Sequence, residues 1–99
     1  MKSGYKVLWT KNALEELNKT IEYLEQNFSE KEIHKLANKI ENISELISQN
    51  PHLFSKSEFK GVHKVSVLKF NTLYYRIIKD EVQILSFFSN RQSPQKWKL

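Results

Sequence analysis

This chain is predicted to adopt an α+β fold ordered β-α-α-β-β-β, with an antiparallel helical hairpin packed on one face of a small, mainly antiparallel sheet. Three observations lead there. Apolar residues recur every three to four positions from Leu14 to Ile47, with one break near Ser29. The period then changes to two between Val62 and Phe88. The connections between those last apolar runs, KFNT and KDE, are short enough to demand hairpins. At 99 residues the chain holds one core, and 1–99 is read as a single domain.

Each element has its own local reason. Tyr5 to Trp9 (YKVLW) has the aromatic and β-branched content of a strand, and Thr10 is placed to cap the helix that follows. That helix carries an apolar stripe of Leu14, Leu17, Ile21, Leu24 and Phe28, with glutamates and lysines on its other faces. It stops near Asn27, because Ser29–Glu32 (SEKE) reads as a capping box that starts a second helix. The second stripe runs Ile33, Leu36, Ala37, Ile40, Ile43 and Ile47, and Pro51 ends it by biasing Asn50 out of helical geometry. Pro51 to Gly61 is a loop for which Phe54 or Phe59 offers an anchor. Val62–Leu68, Leu73–Ile78 and Val82–Phe88 are the three closing strands.

Charge is divided unequally. Residues 1–50 hold seven lysines and eight glutamates, whereas residues 51–99 hold nine basic and three acidic side chains. The net charge of +5 therefore originates in the second half, which attracts polyanions or acidic proteins, or simply solvates one face. There is no cysteine, which excludes disulfides and thiolate metal sites and agrees with a reducing, cytoplasmic setting. No run is long and apolar enough to span a bilayer, and the three histidines, His34, His52 and His63, have no metal-ligand spacing. No cofactor is expected.

Helices on one side of a sheet leave another side to be explained. Leu73, Tyr75 and Ile77 share one face of their strand, and Thr72, Tyr74, Arg76 and Ile78 the other, so Arg76 belongs on the less buried side. The last strand sorts into Val82, Ile84, Ser86 and Phe88 against Gln83, Leu85, Phe87 and Ser89, and alternation alone assigns neither set to the core. Tyr74, Arg76, Phe87, Arg91, Lys96 and Trp97 are the candidate contact residues: guanidinium and ammonium groups for anions, rings for stacking. The competing assignment puts Tyr74 and Phe87 in the core and packs Trp97 down the tail.

The order of elements, YYRI at Tyr74–Ile77 followed by a short turn and VQIL, and FFSNRQSPQK at Phe87–Lys96 resemble the RelE/ParE superfamily of toxins from type II toxin-antitoxin pairs. The resemblance covers essentially the whole chain. It implies a cytoplasmic bacterial growth inhibitor of the kind linked to plasmid stabilisation, held inactive by an antitoxin in a hetero-oligomeric complex. In the ParE-like branch, which the long hairpin and the YRI strand resemble more, the toxin inhibits DNA gyrase and needs no side-chain catalysis. In the RelE-like branch it enters the ribosome and cleaves mRNA by attack of a 2′-hydroxyl on phosphate. There Arg91 matches the arginine that stabilises charge, while His63 and Lys64 are the available proton-transfer and phosphate-orienting groups. Thr72 and Trp97 depart from that branch, which tends to carry a basic residue and a tyrosine at these places, and indole has no proton to exchange at ordinary pH. An inactive superfamily member is the third expectation.

Overall fold

The computed structural model describes residues 4–89. Its elements are β1 (Lys6–Trp9), α1 (Lys11–Asn27), α2 (Glu30–Gln49), β2 (His63–Val67), β3 (Asn71–Ile78) and β4 (Glu81–Ser89), in the predicted order. Strands lie in the sequence β1-β4-β3-β2 across one sheet, with the β2–β3 and β3–β4 pairs antiparallel and β1 parallel to β4. A parallel pair is what the intervening helical hairpin requires, because the chain must travel back before β4 can lie beside β1.

Both helices begin after an extended residue. Thr10 caps α1 as expected, its Oγ1 accepting the Ala13 amide at 3.3 Å. Ser29 precedes α2 in an extended conformation but makes no side-chain cap bond, so the capping box read from SEKE is absent. The break survives without it: Phe28 and Ser29 are both extended, the Glu32 amide reaches only the Ser29 carbonyl, and Glu30 and Glu32 place negative charge in the first turn, where the helix dipole favours it.

The stripe of α1 is rotated from the expected one. Ala13, Thr20 and Leu24 are buried, with Leu17 packed beside them, while Leu14 and Phe28 are 45% and 44% exposed. Small residues toward β4 let the helix lie close to the sheet, and the larger aliphatics are left on its flank. The core is completed by Leu36, Ile43 and Ile47 from α2 and by Val65, Val67, Leu73, Tyr75, Val82, Ile84 and Phe87 from the sheet.

One irregularity decides the facing of β4. Tyr74 pairs with Ser86 but Tyr75 pairs with Ile84, which leaves Leu85 as an extra residue. Val82 and Ile84 before the bulge and Phe87 and Ser89 after it therefore share the helix-covered face, mixing the two sets that alternation separates. β1 pairs with β4 only as far as Ile84. Beyond it α1 takes over the exposed edge: Thr10 Oγ1 donates to the Ile84 carbonyl at 2.8 Å, Asn12 Nδ2 to the Leu85 carbonyl at 3.0 Å, and Glu16 Oε1 accepts from the Phe87 amide at 2.8 Å and from Ser86 Oγ at 2.7 Å.

Candidate binding surface

The open face of the sheet is built from Lys6 and Leu8 of β1, Gln83 of β4, Thr72, Tyr74, Arg76 and Ile78 of β3, and Lys64 and Ser66 of β2, the residues that alternate with the core set. Arg76 lies there as expected, exposed, with its Nε donating to Gln83 Oε1 of the neighbouring strand at 3.0 Å. That bond orients the guanidinium across the sheet and leaves its other N–H groups for a partner. Leu8 and Ile78, both exposed, give this end of the face an apolar component.

The other end is partly covered by the chain itself. Residues 55–57 run along the outer edge of β2, with the Lys64 amide donating to the Ser55 carbonyl and the Ser57 amide to the Val62 carbonyl. Phe59 then packs edge-on against Tyr74 with ring centroids 5.9 Å apart. Tyr74 is consequently on the open face yet only 6% exposed, which corrects its reading as an accessible contact. Burial raises the pKa of its hydroxyl, and the Glu58 carboxylate adds to the effect. Phe59 is thus one of the two loop anchors offered by the sequence; Phe54 is the other, since its carbonyl holds His63 Nδ1 at 3.0 Å.

Phe87 is a second correction. The bulge at Leu85 turns it to the core, where it is 1% exposed and lies 6.4 Å from the Trp9 ring, so it has no place on the contact surface. His63 and Lys64, consecutive on β2, point to opposite faces. Lys64 faces outward near Glu58 at 3.8 Å, whereas His63 is buried, stacked on Tyr75 with centroids 5.2 Å apart. The structure therefore separates these two from one another and gives His63 a packing role. Arg91, Lys96 and Trp97 lie outside the described residues.

Two concavities are present, one on the open face of the sheet and one in the helical layer. One, of about 420 Å³, is polar and sits on the covered end of the sheet between Ser55, Lys64, Ser66, Thr72 and Tyr74. The other, of about 310 Å³, is an apolar groove between the helices, lined by Leu17, Ile21, Ile33, Leu36, Ala37 and Ile40. Sequence reasoning assigned all of these aliphatics to the core. The signal that finds the groove is the width of the stripe on α1, which carries more large apolar residues than one sheet contact can bury. Among the described residues no group of three potential metal ligands occurs, and no helix is long and apolar enough to cross a membrane.

The profile of the ParE toxin of type II toxin-antitoxin systems, parDE, matches residues 7–94. The chain belongs to the ParE toxin family. Among solved structures, the chromosomal ParDE TA system from P. aeruginosa superimposes with a TM-score of 0.73 at 19% identity, covering 86% of this chain and 95% of that one. The YoeB dimer from Staphylococcus aureus gives a TM-score of 0.59 at 20% identity, covering 85% and 94%. These two likenesses establish a shared α+β fold. No curated protein sequence matches. As a ParE-family toxin of a type II pair, the protein has an antitoxin as its partner.

Proposed function

We propose that this ParE-family toxin acts by binding, as an inhibitor of DNA gyrase, and that its antitoxin neutralises it by occupying the interhelical groove and the open end of the sheet. The observation that carries this reading is Arg76: an exposed guanidinium, held across the sheet by Gln83 and bordered by the apolar Leu8 and Ile78. A fixed cation beside an apolar patch is the usual anchor of a macromolecular contact. The burial of His63 on the opposite side of the sheet supports binding over cleavage, because the histidine available as a base is turned away from the cationic face. Arg91, Lys96 and Trp97, which lie outside the described residues, are proposed as further contact residues on the sequence alone.

The polar concavity at Lys64 favours a second reading, ribosome-dependent mRNA cleavage, since Lys64 with the hydroxyls of Ser55, Ser66 and Thr72 could cradle a phosphate. Induction in bacteria separates the two. Gyrase inhibition produces DNA-damage signalling without cleavage of mRNA in the ribosomal A site, and purified toxin blocks supercoiling. Arg76→Ala should fold normally and inhibit gyrase about tenfold less well, the equivalent of roughly 1.4 kcal/mol of contact energy. Full inhibition by Arg76→Ala, or A-site cleavage in place of DNA damage, refutes the proposal.

A further inference from the structure

The interhelical groove does not stop where its apolar lining ends. At the tip of the hairpin a further concavity, of about 410 Å³, is lined by Glu25 and Phe28 of the α1 end and by Glu30, Ile33 and His34 of the α2 start. Ile33 lines the groove as well, and the two linings follow one face of each helix. On α1 that face reads Leu17, Ile21, Glu25 and Phe28, and on α2 it reads Glu30, Ile33, Ala37 and Glu41, all at spacings of three or four. The result is one trough, apolar in its middle and carrying a carboxylate at each end. Glu30 and Glu41 stand close to three full turns apart, or about 16 Å along the α2 axis.

Two electrostatic observations bear on what fills it. Glu25, Glu30 and Glu41 are exposed, and none of them pairs with a cation among the described residues. Residues 11–49, the helical layer, hold five lysines and eight glutamates, whereas residues 50–89 hold six basic and three acidic side chains. The two layers therefore carry opposite net charge. A segment drawn to one is repelled by the other.

We infer that the trough takes a basic amphipathic helix, a partner segment with an apolar stripe about three turns long and a lysine or arginine at each end of it. The inference rests on the reading that the antitoxin occupies this groove, and it adds the sign of the occupant: the groove-bound segment is basic, while the segment that reaches Arg76 on the sheet is acidic. A helix is required because the trough walls are helical side chains with no free backbone edge, so the occupant must satisfy its own amides and carbonyls. The apolar stripe supplies affinity and the two cations set register and exclude acidic segments. At the tip, Glu25 and Glu30 arrive from different helices, an arrangement suited to the forked donors of arginine. A second copy of this chain is a poor occupant, since its own hairpin would bring glutamates against these glutamates.

Amide NMR of the full chain, titrated with three peptides of about four helical turns, tests the assignment. The peptides share one leucine and alanine stripe and carry lysine, glutamine or glutamate at its flanks. The lysine peptide should shift the amides of Glu25, Glu30, Ile33, Ala37 and Glu41 and bind about tenfold more tightly than the glutamine peptide, with the glutamate peptide weakest, because three exposed ion pairs each change an equilibrium by a few-fold. In about 1 M salt the preference should fall to less than about twofold. Glu25→Gln/Glu30→Gln/Glu41→Gln should bind the lysine and glutamine peptides equally, whereas Glu15→Gln/Glu22→Gln, which removes charge from α1 outside the trough, should keep the preference. Groove shifts of equal affinity with all three peptides would leave the groove as a docking site and overturn its basic selectivity. A preference lost equally in both glutamine variants would assign it to net charge and overturn the inference too. Absence of groove shifts with every peptide would overturn the groove reading itself, and this inference with it.

Discussion

Glu16 offers the sharpest test of how the sheet is sealed. One carboxylate oxygen of this residue accepts from the Phe87 amide at 2.8 Å and from Ser86 Oγ at 2.7 Å, and Ser86 is completely buried. Glu16→Ala removes the acceptor and leaves both donors behind, in a position where β1 no longer covers the β4 edge. Hydrogen bonds to a charged group contribute about 1.5–3 kcal/mol each, and because these two share one oxygen the loss is closer to about 3 kcal/mol than to their sum. For a domain of this size that lowers Tm by roughly 12–24 °C. Glu16→Gln retains an acceptor without the charge and should cost about 1 kcal/mol. Urea unfolding of the three proteins, with hydrogen exchange at the Phe87 amide as the local readout, measures both steps. A stability for Glu16→Ala within about 0.5 kcal/mol of wild type would mean that water serves these donors equally well, and the sealing argument would be wrong.

Tyr75 predicts an alkaline limit. Its hydroxyl donates to the Pro51 carbonyl at 2.7 Å and its pKa is pushed up to about 12, mainly by burial, against the opposing effect of a hydrogen bond from the Phe54 backbone. The unfolded chain loses this proton first, so stability is intact below about pH 10 and falls by roughly 2–3 kcal/mol by about pH 12. Tyr75→Phe, less stable at neutral pH, should show a flatter decline of the urea midpoint over that interval. Ile47→Ala empties a fully buried position beneath the sheet and should destabilise by about 3 kcal/mol in urea unfolding. Ala37→Glu places a charge in the interhelical groove at an exposed site, so stability should change by less than about 0.5 kcal/mol while co-expressed antitoxin no longer rescues growth.

The order and type of every element were legible because period and connection length are local properties. Thr10 as a cap, Pro51 as a stop and Arg76 on the open face follow from rules that act within a few residues. The facing of β4 was not legible. A single extra residue at Leu85 exchanges the sets before and after it, and nothing in EVQILSFFS marks the bulge, since Leu85 and Ser86 each fit either face. The same limit hid the cover over Tyr74, because the contact with Phe59 depends on how an irregular loop closes. On α1 the pattern identified an amphipathic helix but misjudged its rotation: Ala13 and Thr20 mark the contact line through their small size, which a hydrophobicity count ranks below Leu14 and Phe28.

Sheet edges bear on how the antitoxin takes hold. Strand addition gains affinity from main-chain bonds, and it needs a run of unpaired edge residues. β2 has spent part of its edge on residues 55–57, and β1 is only four residues long, with the Tyr5 amide just before it already donated to the Ser48 carbonyl. Because alternate residues of a strand present their backbone groups to a given side, so short an edge offers few bonds to an added strand. The interhelical groove offers more: a nearly continuous apolar lining drawn from both helices. Burial there scales with area and needs no free edge. An antitoxin anchored in the groove would also account for the large aliphatics left on the flank of α1, which the toxin's own core does not cover.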